Sequence, residues 1–176
     1  GNGNLVPRIA GMDPGYIVRQ LGFYADGHRQ HPQMSWLAGR LDSDERLAVS
    51  AYYAAMPVPD AQAAAIPAKS PQCDFGDAPT LYHRGAPDRG LASCASCHGA
   101  DGAGIGPGNP SLTGQSAAYI KEQLQRWRMG ERYGDPQNVM HKAADALREE
   151  EISPLAAYIA YGPERSGRRE LPAGCP

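Results

Sequence analysis

The sequence predicts a helical chain made of two copies of one unit. Three observations carry this: an internal repeat, helix-length runs with start and stop signals in both copies, and a Cys-x-x-Cys-His segment in the second. Tyr16-Ile17-Val18-Arg19-Gln20-Leu21 matches Tyr119-Ile120-Lys121-Glu122-Gln123-Leu124, 103 residues further on. Pro7-Arg8-Ile9-Ala10-Gly11 falls on Pro110-Ser111-Leu112-Thr113-Gly114 at the same spacing. After a three-residue insertion the spacing becomes 106, which pairs Met34 with Met140, Leu41 with Leu147, Glu45 with Glu151 and Ala51-Tyr52 with Ala157-Tyr158. Each copy therefore reads as a Gly/Pro-rich loop, an amphipathic helix, a Met-bearing loop and a terminal helix.

In the first copy the terminal helix is expected over Asp44 to Ala55, capped by Asp42 or Ser43 and stopped by Pro57. In the second copy a helix is expected from Tyr119 to Met129, ended by Gly130. Glu149, Glu150 and Glu151 suit the positive end of the last helix, and Gly162-Pro163 ends it. Pro154 lies inside that run, so a kink or a start closer to Pro154 is expected. Pro57, Pro59 and Pro67 flank an Ala-rich stretch that reads as an extended linker. The expected divisions are a first unit over 1–57, a linker over 58–75 and a second unit over 76–176. The repeat would put the first unit's own Cys-x-x-Cys-His before residue 1, so that unit is expected to be truncated at its N-terminus, with a second haem bound before residue 1; a first unit that has lost its haem is the alternative.

Composition narrows the function. The chain has 176 residues, and 17 Lys+Arg against 19 Asp+Glu leave a net charge of −2. Without Lys/Arg blocks there is no electrostatic footprint for nucleic acid. No run of 18 apolar residues exists to form a transmembrane segment. Two Phe and two Trp leave little bulky apolar material, so something other than side chains is expected to fill part of a core.

Cys94-Ala95-Ser96-Cys97-His98 is the pattern of covalent c-type haem attachment. Two thiols three positions apart can each form a thioether to one vinyl group of the same porphyrin, and the adjacent His98 then serves as the proximal iron ligand. A zinc site would want a second Cys/His pair at metal spacing, and Cys73 and Cys175 stand singly and far off. A thioredoxin-like redox pair should follow a strand in a βαβ pattern, which the chain lacks. For the second axial position Met140 is favoured, in an irregular stretch from Gly134, with His141 or His83 as the bis-His alternative. Met129 falls at the end of a helical run and is read as helix surface or core. Met34, at the repeat-equivalent position, is the axial ligand of a first haem if one is present. Arg126, Trp127, Arg128 and Tyr133 are candidates for contacts to haem propionates, with plain helix-surface solvation the alternative for the two arginines.

These residues resemble the class I c-type cytochromes, and within them the two-domain dihaem branch. The resemblance is carried by Cys94 to Gly102, by Pro110 to Gly114 followed by Tyr119-Ile120, and by Leu155-Ala156-Ala157-Tyr158-Ile159, and it covers most of the chain. It implies an all-α fold of tandem cytochrome c domains, His/Met-ligated haem c, a periplasmic location and electron transfer between respiratory partners. Those partners would be a quinol-oxidising complex, a dehydrogenase or a terminal oxidase. It further implies that the first and last helices of the second unit cross, bringing Cys73 and Cys175 within reach of a disulfide; two free thiols are the alternative. The expected function is that of an electron carrier and not an enzyme. The competing readings are a cytochrome permanently docked on a dehydrogenase or oxidase, and a haem peroxidase with an open sixth position.

Overall fold

The computed structural model describes residues 5–58 and 75–163. Cys73, Cys175 and most of the expected linker lie outside the described residues. Three helices form the first unit: α1 (Pro14–Ala25), α2 (Pro32–Ala38) and α3 (Ser43–Ala55). Five form the second: α4 (Ala78–Arg84), α5 (Ala95–His98), α6 (Ala117–Arg128), α7 (Val139–Ala146) and α8 (Glu149–Tyr161). Among the described residues there is no strand, only isolated bridges.

The repeat is reproduced in the helices. α1 and α6 start and end 103 residues apart, and α3 and α8 start and end 106 apart. Local signals explain the boundaries. Asp13 and Ser116 cap α1 and α6 by accepting from the N–H of Tyr16 and Tyr119. Asp42 caps α3 in a reciprocal box with Glu45.

Three expectations are corrected. α8 begins at Glu149, not near Pro154, and runs through the proline, because packing of its buried face outweighs one missing backbone donor. Met140 is not in an irregular loop: it is the second residue of α7, where Asp135 Oδ2 accepts its N–H at 2.8 Å and thereby starts the helix. Met34 likewise stands inside α2, whose start is set by Pro32 and by His31 Nδ1 accepting from the Met34 N–H.

Each unit has its own core. Met12, Ile17, Leu21 and Ala38 form the first, with Met34 and Tyr53 packed against it. The second, larger core is built from α4, α6 and α8 around Tyr82, Tyr158, Leu124 and Leu155. α4 covers α8 there, and Tyr82 and Phe75 both meet the Tyr158 ring edge-on. α3 has no such cover among the described residues. Tyr52 is 64% exposed where its repeat partner Tyr158 is 1% exposed.

The units meet in a pseudo-twofold seam. Segments 28–30 and 131–133 pair antiparallel, with Gln30 N–H donating to Glu131 O and Tyr133 N–H to His28 O. Arg29 and Arg132, also 103 apart and each 5% exposed, cross between the helices. Arg29 donates to Gln20 Oε1, Tyr119 Oη and Gln123 Oε1 at 2.7–2.8 Å. Arg132 mirrors this on Gln123 Oε1, Tyr16 Oη and Gln20 Oε1, each at 2.9 Å. The symmetry extends to the rings beneath: Arg29 lies over Tyr24 and Arg132 over Trp127.

Candidate functional site

α5 is a single turn, and its role is to fix Cys94, Cys97 and His98 in one short stretch of backbone. Cys97 N–H and His98 N–H both donate to Cys94 O, and Gly99 closes the turn at φ 83°, a conformation open to glycine. Neither cysteine is taken up in a disulfide, and both are of intermediate exposure. Burial pushes the Cys94 thiol up to about 11.

His98 is 7% exposed, and its Nδ1 lies 2.9 Å from the Pro110 carbonyl. Because a carbonyl only accepts, Nδ1 carries the proton and Nε2 is left with its lone pair. Burial holds the ring's pKa below the ordinary histidine value, which keeps the lone pair free of a proton at neutral pH. This is the tautomer and anchoring that a metal-binding imidazole needs. The Pro110 carbonyl is held in turn: Leu112 N–H donates to Gly102 O at 2.8 Å and Gly104 N–H to His98 O at 2.8 Å, tying the segment back to the motif.

Met140 and Cys94 pack against the same core, that of the second unit. The alternative histidines are engaged elsewhere. His141 Nδ1 meets Trp127 O at 2.7 Å and its Nε2 meets Asp145 at 3.2 Å, while His83 Nε2 meets Tyr158 Oη at 2.9 Å. Met129 is exposed at the end of α6. Of the residues considered for propionates, Arg126 is paired with Glu122 and Glu131, and Arg128 with Glu149. In the first unit, Met34 lines an apolar concavity of about 560 Å³ with Pro32, Gln33, Trp36 and Leu37.

A porphyrin fits this arrangement: two thiols three positions apart, a buried imidazole with its free nitrogen fixed, and a thioether on the same core. The sequence reading missed the buried arginines Arg8, Arg29 and Arg132. The signal for the last two was present, because Arg29 and Arg132 share the spacing that aligns Gln20 with Gln123.

Comparison with known proteins agrees. The cytochrome c family profile matches residues 88–162. The chain is 39% identical to a thiosulfate dehydrogenase electron acceptor from Stutzerimonas stutzeri over 163 residues, 92% of this chain and 74% of that protein. It is 35% identical to cytochrome c4 of Thiocapsa roseopersicina, over 87% of this chain and 77% of that one. Among solved structures, a thiosulfate dehydrogenase from Marichromatium purpuratum superposes with a TM-score of 0.79 at 37% identity, over 94% of this chain but only 34% of that longer chain. The chain thus belongs to the class I c-type cytochromes of the tandem, cytochrome c4 kind, electron carriers with covalently bound haem c.

Proposed function

We propose that the chain is a periplasmic electron carrier in which Cys94 and Cys97 hold the haem by thioethers and His98 and Met140 are its axial ligands. The observation that carries the ligand assignment is the His98 geometry: a buried ring whose Nδ1 is fixed on Pro110 O leaves Nε2 as the ligand atom. Met34 holds the equivalent position for a haem in the first unit, lining its apolar concavity. Cys73 and Cys175, which flank the second unit in sequence, are proposed to form a disulfide, as an oxidising compartment permits.

The haem supplies one-electron Fe(III)/Fe(II) chemistry. The chain's own part is to keep ligands in place through the change of oxidation state, so that little reorganises. Pro110 O orients His98, and Asp135 fixes the backbone of Met140 at the start of α7. A thioether ligand favours the ferrous state and a higher potential.

The donor is proposed to be a dehydrogenase acting on thiosulfate, as the name of the S. stutzeri relative suggests, and the acceptor a terminal oxidase or a comparable respiratory complex. A second reading is a cytochrome permanently docked on the dehydrogenase; the M. purpuratum protein, whose longer chain includes a region like this one, favours it. The test is rapid mixing of the oxidised protein with a thiosulfate dehydrogenase and thiosulfate, followed at the haem bands. Reduction at a rate that rises linearly with carrier concentration supports the diffusing carrier. Co-purification with the dehydrogenase through high salt supports the docked form, and no reduction under either condition contradicts both. Met140→Ala should keep its covalent haem yet bind carbon monoxide rapidly when reduced. A variant as inert as the parent would remove Met140 from the ligand set.

A further inference from the structure

The ligand reading places His98 on the iron, and His98 depends on Pro110, the first residue of a segment that the first unit grips. Arg8 is 8% exposed and belongs to the loop before α1. Its backbone N–H donates to Gln115 Oε1 at 2.9 Å, and Gln115 Nε2 donates back to Arg8 O at 2.7 Å. Its side chain reaches further along the same segment, with Nε on Thr113 O at 3.0 Å and Nη2 on Ser111 Oγ at 3.3 Å. Nη1 is tied to Ala10 O of its own loop. Ser111 Oγ and Thr113 Oγ1 are 2.8 Å apart, so the segment is bonded within itself as well. Gly114 sits at φ 72°, a backbone that favours glycine, and a Cβ there would stand 3.1 Å from Arg8 Nε, close enough to press on the guanidinium.

This grip breaks the pseudo-twofold symmetry. The residue equivalent to Arg8 in the second unit is Ser111, which has no guanidinium to reach across, and the residue equivalent to Gln115 in the first is Met12, whose thioether cannot donate and accept as the Gln115 amide does. The seam arginines act on both units alike; Arg8 acts in one direction, from the first unit onto the loop beneath the second unit's histidine.

We propose that Arg8 is a positioning residue for His98, so that docking of the first unit sets the orientation and hydrogen-bond strength of the second unit's axial histidine. The inference rests on the assignment of His98 as ligand. A firm Nδ1–H···O bond makes the imidazole a stronger donor to the metal and favours the ferric state. Loosening residues 110–115 weakens that bond and favours the ferrous state.

Arg8→Lys and Gln115→Leu both loosen the grip without altering net charge, which separates positioning from simple electrostatics. Ser111→Ala is a milder variant that leaves Arg8 and Gln115 in place. The full-length holoprotein is titrated at the haem absorption bands, and exchange of the His98 Nδ1 proton is followed by NMR. The expected result is a rise of about threefold in the ferrous-to-ferric ratio at fixed ambient potential for Arg8→Lys and Gln115→Leu, with faster exchange of the proton, and a smaller shift in the same direction for Ser111→Ala. Variants that keep covalent haem and native helicity but show parental potentials and parental exchange would overturn the proposal. Parental protein that carries haem without a His98 ligand signal would overturn the ligand reading itself, a failure visible before any variant is made.

Discussion

Tyr52 and Tyr158 occupy the same place in the repeat and live in different surroundings. Tyr158 is walled in by Phe75, Tyr82 and His83, while Tyr52 stands mostly in solvent beside Tyr53. Truncation should separate them sharply. Tyr158→Ala should cost about 3–5 kcal/mol by the measure of buried aromatic truncations, and Tyr52→Ala under about 0.5 kcal/mol, both read by denaturant titration. Equal losses would mean that the first unit covers α3 as fully as the second covers α8. The pairing of the two tyrosines was legible in the sequence. Their burial was not, because it depends on α4, which packs from a different part of the chain.

Glu151 provides a test in pH. Arg89 donates to both carboxylate oxygens at 2.9 Å, and this bonding holds the carboxyl below the usual glutamate range. The depressed native pKa means that the pair adds stability above the unfolded glutamate value, about 4.3, and that this contribution is lost as pH falls through the lower native value. Melting temperature should therefore drop below about pH 4 more steeply in the parent than in Glu151→Gln. Parallel profiles would show that the pair contributes nothing.

At the scale of the helix, the last one holds a proline in its sixth position and still runs unbroken from Glu149 to Tyr161. The buried stripe of Ile152, Leu155, Ala156 and Ile159 explains this. Burial of four apolar side chains outweighs a missing donor at position 154. Pro154→Ala should therefore stabilise the second unit, by up to about 3 kcal/mol, and a loss of stability would show that the ring makes a packing contribution of its own. Asp42→Ala removes the carboxylate that accepts from the Glu45 N–H, leaving only the bond from the residue 42 backbone N–H to Glu45, and should cost about 1 kcal/mol. The capping signals were readable because a cap is local. The helical placement of Met34 and Met140 was not, because a short stretch rich in Gly, Pro and Asp reads as a loop. The turn is completed by Asp135 bonding ahead to Met140 and by Gln137 and Asn138 at positive φ, which no periodicity reveals.

For the whole molecule, the seam is the feature that joins two small cores. Two guanidiniums are buried side by side, and among the described residues no carboxylate pairs with either. Gln20 Oε1 and Gln123 Oε1 each accept from both arginines, so either glutamine holds both charges in place. Burial and the neighbouring Arg29 charge push the Arg132 pKa down, while burial of Arg29 is outweighed by the tyrosine oxygens around it, which push its own pKa up. Gln20→Leu and Gln123→Leu should each strand donors of both arginines and cost about 1–3 kcal/mol, in equal measure and with the double variant costing more than the two singles together, because the surviving glutamine still holds both guanidiniums in each single. Unequal losses would mean that the seam is not energetically twofold, and additive ones that neither glutamine substitutes for the other. The repeat made the tandem architecture legible, and Cys94-x-x-Cys97-His98 made the chemistry legible. The seam was hidden because the bonds that cross it join residues about ninety to 116 positions apart, where only the fold brings side chains together.

The most direct test of a haem electron carrier is to denature the purified protein in acidified acetone and ask whether haem stays with the chain, in the parent and in Cys94→Ala/Cys97→Ala. The parent should retain haem through denaturation and, when native, be reduced and reoxidised reversibly, while the double variant yields its haem to the solvent or never binds it. Haem extracted from the parent, or a parent whose second unit folds with no haem at all, would contradict it.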